Sequence, residues 1–324
     1  MVELHAIGVC GSDLHYWRMG RIGDQVVRFP LRLGHEAAGE VVETGPGARR
    51  VRAGWKVAVD PGISCGACRE CRLGRANLCP HVLFLGTPPV NGCFQRYLVM
   101  PEECLEVLPE GVSVSLGAAA EPLGVAMQGF DLLGLRAGEN VAVVGAGPVG
   151  LCAIALARSM GARVVAAAEP RPRRQAAAGA LGAERVIGAV GGEGTERFAQ
   201  AVREATAGVG AEFVVECSGA PESFDACVAA AARGGKVALV GITEEDRVSL
   251  DPHAWRRREL LAANVRRSNR TLARCLRLFE NSDLGLTKAG FFSRRIGLPG
   301  LQAAFEDLDR QETEQVKLIV DPRL

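Results

Sequence analysis

Residues 141–169 read VAVVGAGPVGLCAIALARSMGARVVAAAE, and this stretch decides the fold. It predicts a buried strand that ends in glycines, a helix that stops at Gly161 and a second strand that ends at Glu169. Strand, helix and strand follow one another again over residues 211–241. Strands that alternate with helices at this spacing are typical of a parallel, doubly wound sheet, so the predicted fold class is α/β.

The turn after the first strand has the pattern G-x-G-x-x-G, at residues 145–150 (GAGPVG). Gly145 permits the tight turn, Gly147 lets the backbone approach a pyrophosphate, and Gly150 allows the helix to pack closely on the sheet. The helix that follows offers unpaired N–H groups and the positive end of its dipole to phosphates. The pattern alone is weak, but its place between a strand and a helix predicts a dinucleotide site.

Glu169 ends the second strand, 19 residues after Gly150. A carboxylate there is expected to accept hydrogen bonds from the adenosine ribose and to repel a 2′-phosphate, which favours NAD over NADP. Arg171, Arg173 and Arg174 follow closely and act in the opposite direction if they bind a phosphate; a solvated helix start is their simpler interpretation.

Four cysteines share the spacing C-x2-C-x2-C-x7-C in a loop rich in glycine. They are Cys65, Cys68, Cys71 and Cys79. Four close thiolates favour a structural zinc ion, which leaves no open coordination position. An iron–sulfur cluster prefers tighter runs of cysteine, and two disulfides are disfavoured in a long enzyme-like chain that opens without a signal peptide. The loop is therefore predicted to bind zinc without taking part in chemistry.

The composition sets limits on partners. The chain has 324 residues, 48% of them apolar, and a net charge of +1. That balance gives no electrostatic reason to bind nucleic acid or an acidic membrane, and the apolar stretches are interrupted before they reach a membrane-spanning length. We predict a cytoplasmic protein with no nucleic-acid or membrane partner.

The pattern of segments changes along the chain and predicts three parts. Residues 1–122 hold short Val-rich runs between turns, as in an all-β catalytic domain. Residues 123–264 alternate strand and helix and form the nucleotide-binding domain. Residues 265–324 end in VKLIVDP, which is predicted to return as a strand to the first domain.

A second metal site is indicated by Cys10 and His35, which both lie next to glycines. Glu36 follows His35 directly, and Glu121 stands alone in an apolar segment. A carboxylate in such surroundings needs a metal, a cation or a raised pKa. Thiolate, imidazole and carboxylate ligands with one place left for water make up a catalytic zinc site.

Several motifs together resemble the zinc-dependent medium-chain dehydrogenase/reductase family, and two further stretches resemble its sorbitol and xylitol dehydrogenase branch. The family motifs are GVCGSDLHYW (8–17), LGHEAAGEVVETG (33–45), the four-cysteine loop, EPLGVAMQG (121–129) and VAVVGAGPVGL (141–151), and the branch stretches are HYWRMGRIGDQVVRFP (15–30) and TPPVNG (87–92). The resemblance implies a GroES-like all-β catalytic domain and a Rossmann domain that binds NAD.

The resemblance also implies roles for residues around the catalytic zinc. Cys10, His35 and Glu36 would bind the metal, and Glu121 would contact the metal-bound water or the substrate. Which glutamate is the direct ligand stays open.

Further roles follow from the same resemblance. Asp13 would orient the metal-bound histidine, and Ser12 and His15 would relay the alcohol proton to solvent. Tyr16, Arg266 and Arg267, with Glu121, fall at substrate positions. The residues implied in cofactor binding are Gly145, Gly147, Val149, Gly150, Glu169, Arg174, Val240, Gly241 and Ile242.

Two departures from the family pattern stand out. The family has more chain before the first motif, so a truncated chain, a misassigned start or an exposed sheet edge is expected here. The polyol branch has an Arg-Tyr pair where this chain has Arg266 and Arg267. The extra cation is compatible with an acidic sugar derivative as substrate.

The sequence thus predicts an NAD-dependent oxidoreductase with two zinc ions per chain that oxidises a secondary alcohol of a polyol. Threonine, 2,3-butanediol or a simple alcohol is the alternative substrate. A non-catalytic nucleotide-binding protein is the alternative of another class. A homodimer or homotetramer is expected, with the segment KVALVGI (236–242) as an exposed edge strand that pairs between subunits.

Overall fold

The computed structural model describes residues 1–310 and 315–324. The chain forms two compact units. The first unit comprises Met1–Gly124, Arg267–Asp283 and Phe292–Leu324, and the second comprises Val125–Arg266 and Leu284–Phe291.

These bounds differ from the predicted parts mainly in one segment. Residues 284–291 cluster with the second unit, although they lie inside the stretch 265–324 that was assigned to the first domain. The chain passes from the first unit to the second after residue 124 and back to the first after residue 266. Each boundary lies two residues from its predicted position, 122 and 264. The assignment of whole domains stays a prediction.

The strands and helices alternate as the sequence pattern indicates. The strands are β1 (Val2–Gly8), β2 (Arg21–Ile22), β3 (Gln25–Val26), β4 (Glu36–Val41), β5 (Lys56–Val59), β6 (Gly62–Ile63), β7 (Leu83–Phe84), β8 (Tyr97–Leu98), β9 (Leu105–Val107), β10 (Asn140–Val144), β11 (Arg163–Ala168), β12 (Val186–Ile187), β13 (Ala211–Glu216), β14 (Ala231–Leu239), β15 (Leu261–Asn264), β16 (Phe292–Ile296) and β17 (Lys317–Val320). The helices are α1 (Gly11–Met19), α2 (Arg69–Arg72), α3 (Val114–Leu133), α4 (Pro148–Ser159), α5 (Pro172–Ala180), α6 (Glu193–Ala205), α7 (Ser223–Ala230), α8 (Pro252–Arg258), α9 (Leu272–Phe279) and α10 (Leu301–Asp309). Short 3-10 turns are Ala76–Leu78, Glu102–Cys104 and Leu298–Gly300.

The first unit is built on a mainly antiparallel sheet with the strand order β16-β17-β1-β4-β5-β9, and β8 also pairs with β1. In the β1–β4 pair, Gly8 lies opposite Glu36 and Ile7 opposite Ala37. The last strand, β17, runs antiparallel to β1, with Ile7 opposite Val320. The end of the chain, which contains VKLIVDP, thus lies as a strand beside β1 in the first unit.

The second unit is built on a parallel sheet with the order β12-β11-β10-β13-β14-β15. This is the strand order of a doubly wound nucleotide-binding fold, in which ligands bind beyond the carboxyl ends of the strands. Gly161, after α4, has a φ of +81°, a conformation that favours glycine, and it marks the predicted end of that helix. The predicted α/β fold class is confirmed.

One strand prediction was wrong. The segment KVALVGI does not form the sheet edge, because β14 pairs with β13 on one side and with β15 on the other. The edge strand on this side of the sheet is β15, where Leu261 is 59% exposed. The error has a simple cause: LAAN is a poor strand sequence without β-branched residues, so only pairing with β14 defines it.

Helix α3 brings Glu121 into the first unit. Its early turns are made of small residues, and a Cβ on Gly117 would stand 2.7 Å from a methyl of Leu108. Pro122 lies inside the helix and lacks the N–H that would complete the backbone ladder. No helix in the described part of the chain combines the length and the apolar character that crossing a membrane requires.

Candidate metal centres and nucleotide-binding loops

Three side chains of the first unit converge on one point. Cys10, His35 and Glu36 each offer a ligand atom, and these atoms lie within 4.8 Å of one another. The β1–β4 register explains the meeting, because Cys10 follows β1 and Glu36 begins β4 opposite Gly8. A Cβ on Gly8 would stand 1.9 Å from a carboxylate oxygen of Glu36, so any larger residue there would displace that carboxylate. A thiol, an imidazole and a carboxylate at this spacing suit a catalytic type of zinc site.

Asp13 ties the two loops of this group together. Its carboxylate is fully buried and accepts hydrogen bonds from the backbone N–H of Cys10 (3.0 Å) and of Gly34 (2.9 Å). One of its oxygens also lies 3.5 Å from His35 Nδ1. This is the contact expected of a carboxylate that orients a metal-binding histidine and leaves Nε2 for the metal.

The charges around His35 favour its protonated form in the metal-free chain. Burial disfavours the imidazolium, but the charges of Asp13 and Cys10 outweigh burial and raise the pKa of His35 well above its usual value. A ligating imidazole must be neutral, so a metal ion competes with a proton at this site.

We therefore expect zinc affinity at the Cys10–His35–Glu36 group to fall as the pH falls below the raised pKa of His35. The loss should be roughly tenfold per pH unit for each proton displaced. Zinc competition with a coloured chelator between pH 6 and 8 measures it. Asp13→Asn removes a charge that raises this pKa and should move the profile to lower pH; an affinity independent of pH contradicts the interpretation.

Glu121 lies near the three ligands without joining them. It is buried, and its pKa is raised to about 7: burial is the main cause and Glu36 adds to the rise, while His35 and Lys317 oppose it. The group that lies within 4.8 Å contains Glu36 and not Glu121. This geometry favours Glu36 as the direct ligand and leaves Glu121 as a nearby acid that can hold a proton near neutral pH.

A buried cation beside Glu36 was not predicted from the sequence. Lys317 Nζ donates to both carboxylate oxygens of Glu36, at 2.7 and 2.6 Å, and to the carbonyl oxygen of Val9 at 3.0 Å. Both side chains are 1% exposed. The sequence does contain one sign of this contact, a lysine within the apolar run VKLIV. A lysine buried in such a strand requires a partner for its charge.

The predicted relay residues lie on α1. Ser12 Oγ is 3.5 Å from His35 Nε2, beside the group of ligands. His15 is half-buried three residues later, on the same face of the helix. Tyr16 is buried and its hydroxyl donates to Gln25 Oε1 at 3.4 Å. Their roles stay predictions.

The two arginines assigned to substrate fall in different units: Arg266 ends a segment of the second, and Arg267 begins one of the first. The guanidinium of Arg267 lies 3.8 Å from the ring centre of Phe84, and Phe84 lies 5.7 Å from the ring of His35. Arg267 is thus connected to the metal group through one aromatic ring.

The four-cysteine loop is folded as a metal cradle. Cys65 Sγ and Cys71 Sγ are 4.0 Å apart, close to the roughly 3.8 Å edge that Zn–S bonds of about 2.3 Å give a tetrahedron. Cys68 N donates to Cys65 Sγ, and Cys71 N donates to Cys68 Sγ. Backbone N–H groups of Ala67 and Cys68 lower the pKa of Cys65 to about 6. The residues present fit a structural zinc ion.

Replacing Cys71 with serine should remove one zinc ion per chain and lower the thermal midpoint. The loop around Cys71 is mostly exposed, so the metal rather than a core holds it together. Elemental analysis and a melting curve test this, with Cys275→Ser, a change at a buried cysteine outside both groups of possible ligands, as the control. Unchanged zinc content in the Cys71 variant would contradict the assignment.

Gly145 and Gly150 of the nucleotide loop occupy positions that other residues cannot take. Gly145 has a φ of +88°, and a Cβ there would stand 2.7 Å from the backbone N of Ser218. A Cβ on Gly150 would stand 1.9 Å from the carbonyl oxygen of Gly145. Among the described residues, a Cβ on Gly147 would come within 4 Å of Arg174 Nη1 alone, at 3.6 Å, which leaves room for a phosphate.

The side chain of Glu169 stabilises the glycine loop 145–150 by hydrogen bonds to the backbone. Its carboxylate is 3% exposed and accepts from Ala146 N at 3.0 Å and from Arg171 N at 3.1 Å. Burial and the charge of Arg171 lower the pKa of Arg174 to about 10, and Glu169 partly offsets them. An anion near Arg174 would stabilise its charge, which suits the edge of a phosphate site.

A second glutamate of this sheet edge was missed by sequence reasoning. Glu216 ends β13, is buried, and accepts from the backbone N–H of Ser218, Gly219 and Gly241. It thereby joins the loop after β13 to the predicted cofactor segment Val240, Gly241 and Ile242 after β14. In the sequence Glu216 looks like an ordinary strand end, and only the loop geometry reveals its part.

Two family models match the chain. The model of the alcohol dehydrogenase GroES-like domain matches residues 1–110, and that of the zinc-binding dehydrogenase matches residues 148–281. Sorbitol dehydrogenase of Bacillus subtilis is 37% identical over 251 residues, which cover 78% of this chain and 70% of that protein.

Solved structures agree with this. The 2R,3R-butanediol dehydrogenase of Bacillus subtilis has a TM-score of 0.86 and 28% identity, and covers 99% of this chain and 91% of its own. A protein of Sinorhizobium meliloti, described as a zinc-binding dehydrogenase bound to NADP, gives the same four values. The resemblance seen in the motifs is confirmed. The chain is therefore an enzyme of the zinc-dependent medium-chain dehydrogenase/reductase family and belongs to its sorbitol dehydrogenase branch.

Proposed function

We propose that this enzyme transfers hydride between a secondary hydroxyl of a polyol, of the sorbitol or xylitol type, and NAD. The observation that carries the proposal is that one chain holds both the Cys10–His35–Glu36 group and a glycine loop braced by Glu169. The first suits a catalytic metal and the second a dinucleotide.

We assign separate roles in metal binding, proton transfer and substrate contact to residues of the first unit. Cys10, His35 and Glu36 would hold a zinc ion, which when bound supplies the Lewis acidity that lowers the pKa of an alcohol. Ser12, beside His35, accepts the alcohol proton, and His15 passes it towards solvent. Glu121, with a pKa of about 7, holds or releases a proton close to the substrate. Phe84 and Arg267 form one wall beside His35.

Two zinc ions per chain are part of the proposal: one at the Cys10 group and one in the four-cysteine loop. Elemental analysis tests this count. Two zinc ions per chain are expected, and a single ion confined to the cysteine loop would contradict the zinc site proposed at the Cys10 group.

A panel of alcohols with NAD tests the substrate class. Sorbitol and xylitol should give the highest kcat/KM, ahead of threonine and 2,3-butanediol. Butanediol is the second candidate because the chain is similar to a butanediol dehydrogenase over 99% of its length. A far larger kcat/KM for threonine or butanediol rejects the polyol proposal. A preference for sugar acids would indicate that the guanidinium of Arg267 binds the substrate carboxylate.

NAD is proposed over NADP because the buried carboxylate of Glu169 stands beside the loop that holds the pyrophosphate. Glu169→Ala should lower the ratio of kcat/KM for NAD over NADP by roughly tenfold or more, the worth of one charge-assisted hydrogen bond. Glu169→Gln is the control for loop geometry, because it retains an acceptor for Ala146 N. If the unchanged enzyme already prefers NADP, Glu169 does not select the cofactor.

A homodimer or homotetramer remains part of the proposal, with β15 in place of KVALVGI as the strand that pairs between subunits. An exposed strand edge in a folded protein needs a partner or a cover. Sedimentation at micromolar concentration tests it, and a monomer would contradict it. A cytoplasmic location stays a prediction from the sequence.

A further inference from the structure

A cavity of about 620 Å³ lies in the second unit at the amino ends of β13 and β14. Gly210 directly precedes β13 and Ala231 begins β14, and both line the cavity. The loops that carry the nucleotide follow the carboxyl ends of the same sheet, around Gly145 and Gly219. The cavity therefore lies at the opposite edge of the sheet from the nucleotide site.

The walls of this cavity are strongly basic. Arg203 of α6, Arg233 of β14, and Arg257 and Arg258 of α8 line it, and none of its described lining residues is acidic. Arg203 forms an ion pair with Glu196. Within residues 1–310 and 315–324, no carboxylate forms an ion pair with the other three arginines. About three positive charges are left without a direct counter-charge.

Backbone contacts hold the arginines in place. Arg258 Nη1 donates to the carbonyl oxygen of Ala231 at 2.7 Å, and Arg233 Nη1 donates to that of Arg257 at 3.1 Å. Asp251 accepts hydrogen bonds from the backbone N–H groups of Ala254 and His253; these bonds lower its pKa, and the charge of Arg257 makes a smaller contribution. The cations are thus partly pre-organised, which reduces the entropy lost when they bind an anion.

We propose that this cavity binds a small organic molecule that carries two phosphoryl groups. Arginine forks recognise phosphate oxygens in pairs, and two phosphoryl groups bring about three to four negative charges, which match three unpaired guanidinium groups. A volume near 620 Å³ is within the range of small-molecule sites. The ligand would bind at the opposite edge of the sheet from the nucleotide loops.

The test uses the zinc-loaded enzyme with saturating NADH, so that the nucleotide loop is occupied, and 2,3-bisphosphoglycerate as the probe. Calorimetry at constant ionic strength should show one saturable site per chain. 3-Phosphoglycerate, with one phosphoryl group fewer, should bind at least roughly tenfold more weakly.

The double variant Arg233→Ala/Arg257→Ala changes two exposed side chains and should weaken the bisphosphate at least roughly tenfold, with turnover and melting temperature unchanged. Arg136→Ala, an exposed arginine of the same unit outside the cavity, is the matched control and should bind as the unchanged enzyme does. The proposal is overturned if the double variant binds the probe as well as the control does, if 3-phosphoglycerate binds equally well, or if no saturable binding occurs.

Discussion

Replacing Cys10 with alanine is expected to lower kcat by roughly a thousandfold or more. The thiol is one of three donors at the proposed catalytic site, and its loss leaves His35 and Glu36 as the ligands within 4.8 Å. The Lewis acidity of a metal is worth several kcal/mol, and each 1.36 kcal/mol corresponds to about a factor of ten in rate. Initial rates with sorbitol and NAD measure the loss.

NAD affinity should hardly change in the same variant, because the glycine loop and Glu169 belong to the second unit. NADH fluorescence titration reports it. The matched control is Cys104→Ala, a buried cysteine of the first unit that lies outside both groups of ligands. Full turnover in the Cys10 variant would reject the metal mechanism, and equal loss in the Cys104 variant would indicate damage to the fold.

Replacing Lys317 with methionine should destabilise the zinc-free protein by about 3–5 kcal/mol, because it leaves the Glu36 carboxylate buried without its cation. Lys317 Nζ lies 2.6–2.7 Å from both oxygens of Glu36, and the pair is 1% exposed. Urea unfolding of the chelator-treated protein measures the effect.

The double variant Lys317→Met/Glu36→Gln removes both charges and should recover most of that stability, since replacing a whole buried pair costs far less than breaking it. A double variant that is as unstable as Lys317→Met alone would show that methionine fails for reasons of packing. An unchanged unfolding midpoint in the single variant would mean that the ion pair contributes nothing.

Sites formed by residues close together in the sequence were predictable. Contacts that depend on how distant strands pair were not. The glycine loop and the four-cysteine loop each lie within 20 residues of chain, and backbone geometry dictates their residue types. Lys317 and Glu36 are 281 positions apart and meet only because β17 and β4 both pair with β1.

The misplaced sheet edge has a related cause. KVALVGI has the composition of a strand, but the composition does not tell whether a strand is central or at the edge. The weak segment Leu261–Asn264 forms a strand because its neighbour β14 offers a free edge. Glu216 shows the same limit, since its partners Ser218 and Gly219 follow it directly but the third, Gly241, reaches it only through the pairing of β13 with β14.

The most direct test of the central claim uses sorbitol in which every carbon-bound hydrogen is deuterium, with NAD and the enzyme at two zinc ions per chain. We predict that mass spectrometry finds one deuterium in the reduced cofactor, and that Cys10→Ala forms almost none. A chain that holds both zinc ions and both cofactor loops yet transfers no deuterium from any polyol to NAD would contradict the account.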